Sequence, residues 1–221
     1  MQRWSPEIIR YLYTAADHSR YYQDLARQLG AFLRPEDRVC DAGCGLGLLS
    51  RALLPYCAHV TAVDRSPAAV AALRARGEDP KLSALTGDIR ELPPRQPYDA
   101  MVFCLFGGTE ETLAIAARQC GSGVRMAGHT AADMERELQR RGLTYTARRF
   151  TLEFGQPFLS LDDAQAFFRL YSRDGAVPSR QELAQRLELS AWADYPLYLP
   201  NPKPLCLLAI PAAQLREEMY G

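Results

Sequence analysis

A glycine-rich loop between a short apolar strand and a helix constrains this sequence more than any other feature. Arg38–Ala42 has the pattern of a buried strand, and Leu48–Leu54 has the pattern of a helix. The loop Gly43–Gly47 between them has glycine at every second position. Glycines let the backbone turn sharply and let a ligand approach main-chain N–H groups closely. The pattern predicts a nucleotide-binding turn, although a structural turn that binds nothing also fits it.

Three carboxylates come at the ends of successive predicted strands. Asp41 ends the first strand, Asp64 ends the second (His59–Asp64), and Asp88 ends the third (Leu82–Asp88). The carboxyl ends of parallel strands meet at one edge of a sheet, so these side chains are expected around one ligand. A carboxylate at Asp64 can accept both ribose hydroxyls, and one at Asp88 can accept the adenine amino group. Either residue is also explained as a cap of the following turn or helix.

The first carboxylate and the glycine spacing favour S-adenosylmethionine over a dinucleotide. Asp41 would repel a pyrophosphate, whereas it suits the cationic amino group of a methionine moiety. A dinucleotide fingerprint needs its third glycine one residue after Gly47, where Leu48 stands. An NAD-dependent oxidoreductase stays open as an alternative, because Asp64 would serve NAD equally well.

Strands and helices alternate along the middle of the chain, which predicts a doubly wound α/β fold with a parallel sheet. A single helix is predicted over Pro6–Leu33, with Gly30 as a local end or kink. The remaining predicted strands are Tyr98–Phe106, a short Gly123–Ala127, Thr144–Phe154 and Leu205–Ile210. The remaining predicted helices are Pro67–Arg76 capped by Ser66, Thr109–Cys120 capped by Thr109, Thr130–Arg141, Asp162–Tyr171 capped by Ser160, and Ser179–Leu189 capped by Ser179.

The motifs, in this order, resemble those of the class I S-adenosylmethionine-dependent methyltransferases. They are Val39–Gly47, Val63–Ser66, Thr86–Ile89 and Tyr98–Phe103. The resemblance implies a Rossmann-like, seven-stranded, mostly parallel sheet whose last strand is antiparallel. It divides a single domain, 1–221, into an N-terminal helical cap (1–34), a cofactor-binding core (35–157), a helical insert or lid (158–199), and a final strand and tail (200–221).

The resemblance also implies S-adenosylmethionine as cofactor and S-adenosylhomocysteine as product. Ile89 is expected to pack on the adenine ring, beside Asp88. The residues expected to bind the cofactor are Asp41, Gly43, Cys44, Gly45, Gly47, Asp64, Arg65, Asp88, Ile89 and Phe103.

The expected methyl acceptor is a small molecule. No Asn/Asp-Pro-Pro-Tyr motif follows the fourth strand, which argues against methylation of nucleic-acid bases. His18 and His129 are candidate general bases, although a solvated or structural histidine explains each. The pocket is expected to use Phe106 at the end of the fourth strand, with aromatic residues and an arginine of the cap and insert that are also typical of a core or an exposed helix face: Tyr21, Tyr22, Arg169 and Tyr171.

Composition narrows the class of partner. The formal net charge is zero and the pI is about 6.8, so nothing favours nucleic acid or an anionic membrane surface. No apolar run approaches the ~20 residues of a membrane span, and no signal-peptide core follows Met1, so a cytoplasmic protein is expected. Its six cysteines are scattered and predict free thiols without a metal site. Lysine occurs only at Lys81 and Lys203, which we interpret as a bacterial, GC-rich coding bias.

Three alternatives to a small-molecule methyltransferase stay open. The chain can be a non-catalytic protein that binds S-adenosylmethionine or S-adenosylhomocysteine, an NAD-dependent oxidoreductase, or a methyltransferase acting on protein or RNA. A homodimer through the arginine- and tyrosine-rich N-terminal helix is possible.

Overall fold

The computed structural model describes residues 4–92, 98–128, 131–172 and 176–220, and it divides the chain into two compact units. The larger unit consists of Tyr22–Thr151 and Pro204–Gly221. The smaller unit consists of Met1–Tyr21 and Leu152–Lys203. Each unit therefore combines segments that are distant in the sequence.

The described strands, in chain order, are β1 (Arg38–Ala42), β2 (His59–Asp64), β3 (Leu82–Thr86), β4 (Tyr98–Cys104), β5 (Cys120–Gly128), β6 (Thr146–Glu153), β7 (Gln156–Phe158), β8 (Glu188–Leu189), β9 (Leu197–Leu199) and β10 (Pro202–Pro211). The described α-helices are α1 (Pro6–Asp17), α2 (Tyr21–Gly30), α3 (Leu48–Leu53), α4 (Pro67–Ala75), α5 (Thr109–Gln119), α6 (Ala131–Arg140), α7 (Leu161–Tyr171), α8 (Arg180–Arg186) and α9 (Ala212–Tyr220). A short 3₁₀ helix, Leu54–Tyr56, follows α3.

Seven strands form one sheet in the order β3-β2-β1-β4-β5-β10-β6. Neighbouring strands from β3 to β5 pair in parallel, and β10 pairs antiparallel with β5. The predicted Rossmann-like sheet with an antiparallel last strand is thus confirmed. Reversal of strand order beside β1 creates a switch point, where open α/β sheets bind their ligands.

The central strands are buried on both faces, which explains their uninterrupted apolar sequences. Four of the five β1 residues and the four middle residues of β2 are buried. β3, at the sheet edge, is only partly covered, and Leu85 is exposed. The observed limits of β1 and β2 are the predicted ones.

Helix caps were predicted correctly at three serines and wrongly at one threonine. The Ser66 hydroxyl accepts a hydrogen bond from the Ala69 N–H at the start of α4, and Ser160 and Ser179 cap α7 and α8 in the same way. Thr109 is instead the first residue of α5. Gly108 stands at the cap position and offers no side chain to the helix.

Other element predictions need correction. The predicted helix Pro6–Leu33 is two helices separated by His18–Arg20. The prediction missed this break because the apolar spacing continues across it, although the helical hydrogen bonding stops there. The helix predicted over Ser179–Leu189 ends at Arg186, and Glu188–Leu189 forms β8. The fifth strand is longer than predicted, and the C-terminal tail contains α9. Thr130, the predicted start of α6, lies outside the described residues.

The smaller unit combines α1, α7 and α8 with a three-stranded sheet in the order β7-β9-β8. Tyr11 and Phe158 are fully buried in its core and pack against Phe167. The Tyr11 hydroxyl donates to Asp163 Oδ1 at 2.8 Å. Across the described residues, no helix is both long and apolar enough to span a bilayer.

Candidate cofactor site

A cleft lies at the carboxyl ends of β1, β2 and β3, and its volume is about 260 Å³. Six of the residues predicted to bind cofactor or acceptor line it, together with Val63, Gly87, Arg90, Leu105, Gly107 and Glu111. These six are Gly43, Asp64, Arg65, Asp88, Ile89 and Phe106. Asp41, Cys44, Gly45 and Gly47 lie in or behind the glycine loop without lining the cleft, and Phe103 lines an adjoining cavity.

The glycine loop has a backbone that other residues rarely adopt. Gly43, Gly45 and Gly47 have φ angles of 74°, 53° and 67°. A Cβ atom at Gly47 would lie 2.4 Å from the Leu73 side chain. Glycine is therefore needed here both for conformation and for space.

Asp64 holds this loop to the start of α4. Its Oδ2 accepts from the Gly45 N–H at 2.9 Å, and its Oδ1 accepts from the Ser66 N–H at 2.8 Å. Each carboxylate oxygen has a second lone pair, so both can still accept a ribose hydroxyl. Capping and ligand binding are compatible at this residue.

Asp41 is a buried carboxylate whose hydrogen-bond partner is neutral. Only 2% of its surface is exposed, and its Oδ2 accepts from the Ser50 hydroxyl at 2.5 Å. Burial raises the pKa of Asp41 to about 6, against the opposing effect of the Ser50 hydrogen bond. Among the described residues, no arginine or lysine pairs with it. A buried carboxylate in this state is stabilised by a cation, which fits the ammonium group of S-adenosylmethionine.

Asp88 lies in a charged group that the sequence analysis did not predict. Its Oδ1 accepts from the Arg90 backbone N–H at 3.0 Å and from Arg90 Nε at 2.7 Å. Arg90 Nη1 also donates to Glu111 Oε1 at 3.1 Å. The Arg90 guanidinium holds the pKa of Asp88 at about 2, so this carboxylate is ionised at neutral pH. The only sequence signal was a basic residue two positions after the acid.

Phe106 covers the glycine loop from the β4 side of the cleft. A Cβ atom at Gly43 would lie 2.6 Å from Phe106 Cδ2. The Phe106 ring also lies 5.3 Å from that of Phe103, measured between centroids. The preceding residue, Leu105, has a φ of 54°, in the left-handed region that favours glycine.

His18 has a defined tautomer in the smaller unit. Its Nδ1 lies 2.8 Å from the Thr14 carbonyl oxygen, which can only accept, so a neutral ring carries its proton on Nδ1. The ring packs edge-to-face against Trp192 and Tyr195, each at 4.9 Å between centroids. His129, the other predicted base, lies outside the described residues.

The predicted acceptor residues are divided between the units. Tyr22 and Phe106 belong to the larger unit, and Phe106 lines the cleft. Tyr21, Arg169 and Tyr171 belong to the smaller unit, where Arg169 is exposed. Tyr171 stacks on Phe167 at 4.4 Å, and its buried hydroxyl has no hydrogen-bond partner among the described residues.

Comparisons with known proteins find methyltransferases. A family model described as a methyltransferase domain matches residues 39–128. The ubiquinone biosynthesis O-methyltransferase of Xylella fastidiosa is 40% identical over 70 residues, which are 29% of this chain and 28% of that protein. The trans-aconitate 2-methyltransferase of Streptomyces avermitilis is 33% identical over 107 residues, which are 45% of this chain and 38% of that protein. The chain thus matches less than two fifths of the length of either relative.

The fold is shared with solved structures at low sequence identity. Precorrin 8W decarboxylase from Methanobacterium thermoautotrophicum has a TM-score of 0.55 and is 16% identical, covering 85% of this chain and 89% of that chain. That likeness establishes the architecture alone, since one fold serves many reactions. Residues 39–128 are therefore similar to methyltransferase domains, which agrees with the predicted S-adenosylmethionine cofactor.

Proposed function

We propose that this protein transfers a methyl group from S-adenosylmethionine to a small-molecule acceptor by in-line displacement. The observation that carries this proposal is the combination of an uncompensated buried carboxylate, Asp41, with the open acceptor positions of Asp64 beside one cleft. The bound cofactor supplies a methyl group that is already electrophilic. The protein's part is then binding, orientation and exclusion of water.

Three carboxylates, two that line the cleft and one buried behind the glycine loop, share this binding. Asp41 attracts the ammonium group, and Asp64 accepts the ribose hydroxyls. Asp88, held by Arg90 at 2.7 Å, accepts the adenine amino group, while Ile89 packs on the ring. Arg65 lines the same cleft and is exposed, which leaves its guanidinium available to the adenine face.

A small acceptor is supported by the names of the two relatives, since ubiquinone precursors and trans-aconitate are small molecules. The zero net charge supports action without nucleic acid. We further propose that His18 or His129 takes the acceptor's proton. Replacing His18 by Gln should then lower kcat at neutral pH while the affinity for S-adenosylhomocysteine stays unchanged.

Titration calorimetry with S-adenosylhomocysteine, with NADH as a parallel ligand, tests the cofactor assignment. We expect micromolar binding of the former and none of the latter. Transfer of labelled methyl from S-adenosylmethionine to a panel of small acceptors then tests the reaction. Binding without transfer to any acceptor would favour the alternative, a non-catalytic S-adenosylmethionine-binding protein, and binding of NADH alone would overturn the proposal.

A further inference from the structure

A second cavity adjoins the cleft and lies entirely within the larger unit. It lies at the carboxyl ends of β4 and β5 and beside β10, whose Cys206 and Leu208 are paired in register with Gly128 and Met126 of β5. Its walls are mainly apolar side chains: Phe103, Phe106, Met126, Met134, Cys206 and Leu208. Leu105, Phe106 and Gly107 line both the cavity and the cofactor cleft, so only this turn separates the two spaces.

The chemistry of the cavity disfavours a charged ligand. None of its described lining residues carries a charge. Among its hydroxyl groups, that of Thr112 is already used, because it donates to the Gly108 carbonyl oxygen at 2.7 Å. A carboxylate entering such a space loses its hydration and gains no cation in return, whereas an apolar group gains by leaving water.

The wall formed by Phe106 controls the size of this cavity. As it stands, the volume is about 30 Å³, which is room for about one water molecule. The Phe106 ring lies over Gly43, at the backbone that the cofactor must approach. The preceding residue, Leu105, has a φ of 54°, which costs free energy at a non-glycine residue, so the turn is strained. A cofactor that displaces the ring from Gly43 would join the cleft to the cavity.

We propose that the methyl acceptor is an uncharged small molecule with an apolar body, and that this body occupies the cavity between β4, β5 and β10 once the cofactor has displaced Phe106. This inference rests on the proposed methyl transfer and names its substrate class. In the transfer, the acceptor's nucleophilic atom bonds to the methyl carbon while the carbon–sulfur bond breaks. The electron pair of that bond stays on sulfur, which becomes a neutral thioether, and the acceptor gives its proton to a base or to water.

Binding of an uncharged apolar fluorophore, N-phenyl-1-naphthylamine, tests the inference without requiring turnover. With saturating S-adenosylhomocysteine, we expect the full-length protein to bind this probe at least tenfold more tightly than it does alone. Met126→Lys, which adds a charge to the half-buried β5 wall, should abolish that gain. Ser122→Lys adds the same charge at an exposed position of β5 outside the cavity and serves as the control, with probe binding retained.

A separate variant tests the proposed displacement of the Phe106 ring. Phe106→Ala should bind the probe without S-adenosylhomocysteine, since the wall is then absent. A probe affinity that changes neither with S-adenosylhomocysteine nor with Met126→Lys would overturn the inference. Tighter binding of an acidic analogue, 1-anilinonaphthalene-8-sulfonate, would also overturn it. Failure of methyl transfer with probe binding intact would contradict the proposed function alone. Circular dichroism of each variant separates these outcomes from misfolding.

Discussion

The turns that follow β1 and β4 leave the sheet at the same edge, yet they are held in opposite ways. After β1, glycines occupy every position with a positive φ, and Asp64 accepts from the Gly45 N–H of the loop at 2.9 Å and from the Ser66 N–H of α4 at 2.8 Å. After β4, a non-glycine residue, Leu105, has a φ of 54°, and 63% of its side chain is exposed. The first turn is prepared for a ligand, whereas the second is strained and depends on its surroundings for its conformation.

The largest expected effect is a loss of ligand affinity when the hydrogen bond of Asp64 to the turn after β1 is removed. Asp64→Ala removes two ribose acceptors and the bond to Gly45, so we expect about a 100-fold loss of affinity for S-adenosylhomocysteine, measured by calorimetry. Glu78→Ala, at an exposed carboxylate outside the cleft, is the control. Unchanged affinity in Asp64→Ala would remove this residue from the site and break the comparison.

Asp41→Asn, at the end of β1 beside the same turn, should raise the stability of the ligand-free protein and weaken cofactor binding. The folded state raises the pKa of Asp41 from 3.8 to about 6, so the folded protein holds this proton more tightly than the unfolded chain. The contribution of this carboxyl group to the free energy of unfolding therefore falls as the pH rises from about 4 to about 6, and it does not recover at higher pH. Asn avoids that loss, and we expect the ligand-free variant to be more stable by up to about 3 kcal/mol at pH 8.

Urea unfolding of wild type and Asp41→Asn at pH 5 and pH 8 measures this difference, and calorimetry measures the expected weaker binding of S-adenosylmethionine. The stability gap between the two proteins should be wider at pH 8. A gap that is the same at both pH values would show that Asp41 is not a buried acid with a raised pKa.

The smallest effect is expected in the second turn. Leu105→Gly should stabilise the ligand-free protein by about 0.5–1 kcal/mol, because glycine adopts a positive φ without strain. Leu189→Gly is the matched control: this leucine is 88% exposed and lies in β8, where glycine should destabilise. Thermal unfolding of both variants tests the comparison, and a destabilised Leu105→Gly would mean that the turn after β4 is not strained.

The sequence predicts best those features that neighbouring residues in the chain determine. β1, β2 and α4 follow from apolar runs bounded by glycine, a cap serine and proline, so their limits were predicted closely. The hydrogen bond from Ser50 to Asp41 and the bridge from Arg90 to Glu111 join residues on different elements, and no periodicity reveals them. The positive φ of Leu105 is likewise imposed by tertiary structure.

Elements with weak amphipathic patterns were also missed. α9 buries Ala212 and Leu215, too few apolar positions to distinguish a docked helix from a tail. The break at His18 was hidden because the apolar spacing of α1 continues into α2. Of the residues that line the cleft, the glycine and the aspartate at the carboxyl ends of β1 and β2 were among the predicted site residues, while Arg90 and Glu111 were not.

The place of β10 between β5 and β6 has a consequence for how the chain is made. The strands from β3 to β5 can pair once residues up to Gly128 have left the ribosome. β6 emerges next but cannot join the sheet, because its neighbour β10 starts only at Pro202. During synthesis of the intervening residues, β5 therefore presents an open edge to other chains, and β-edge association is the hazard at this stage.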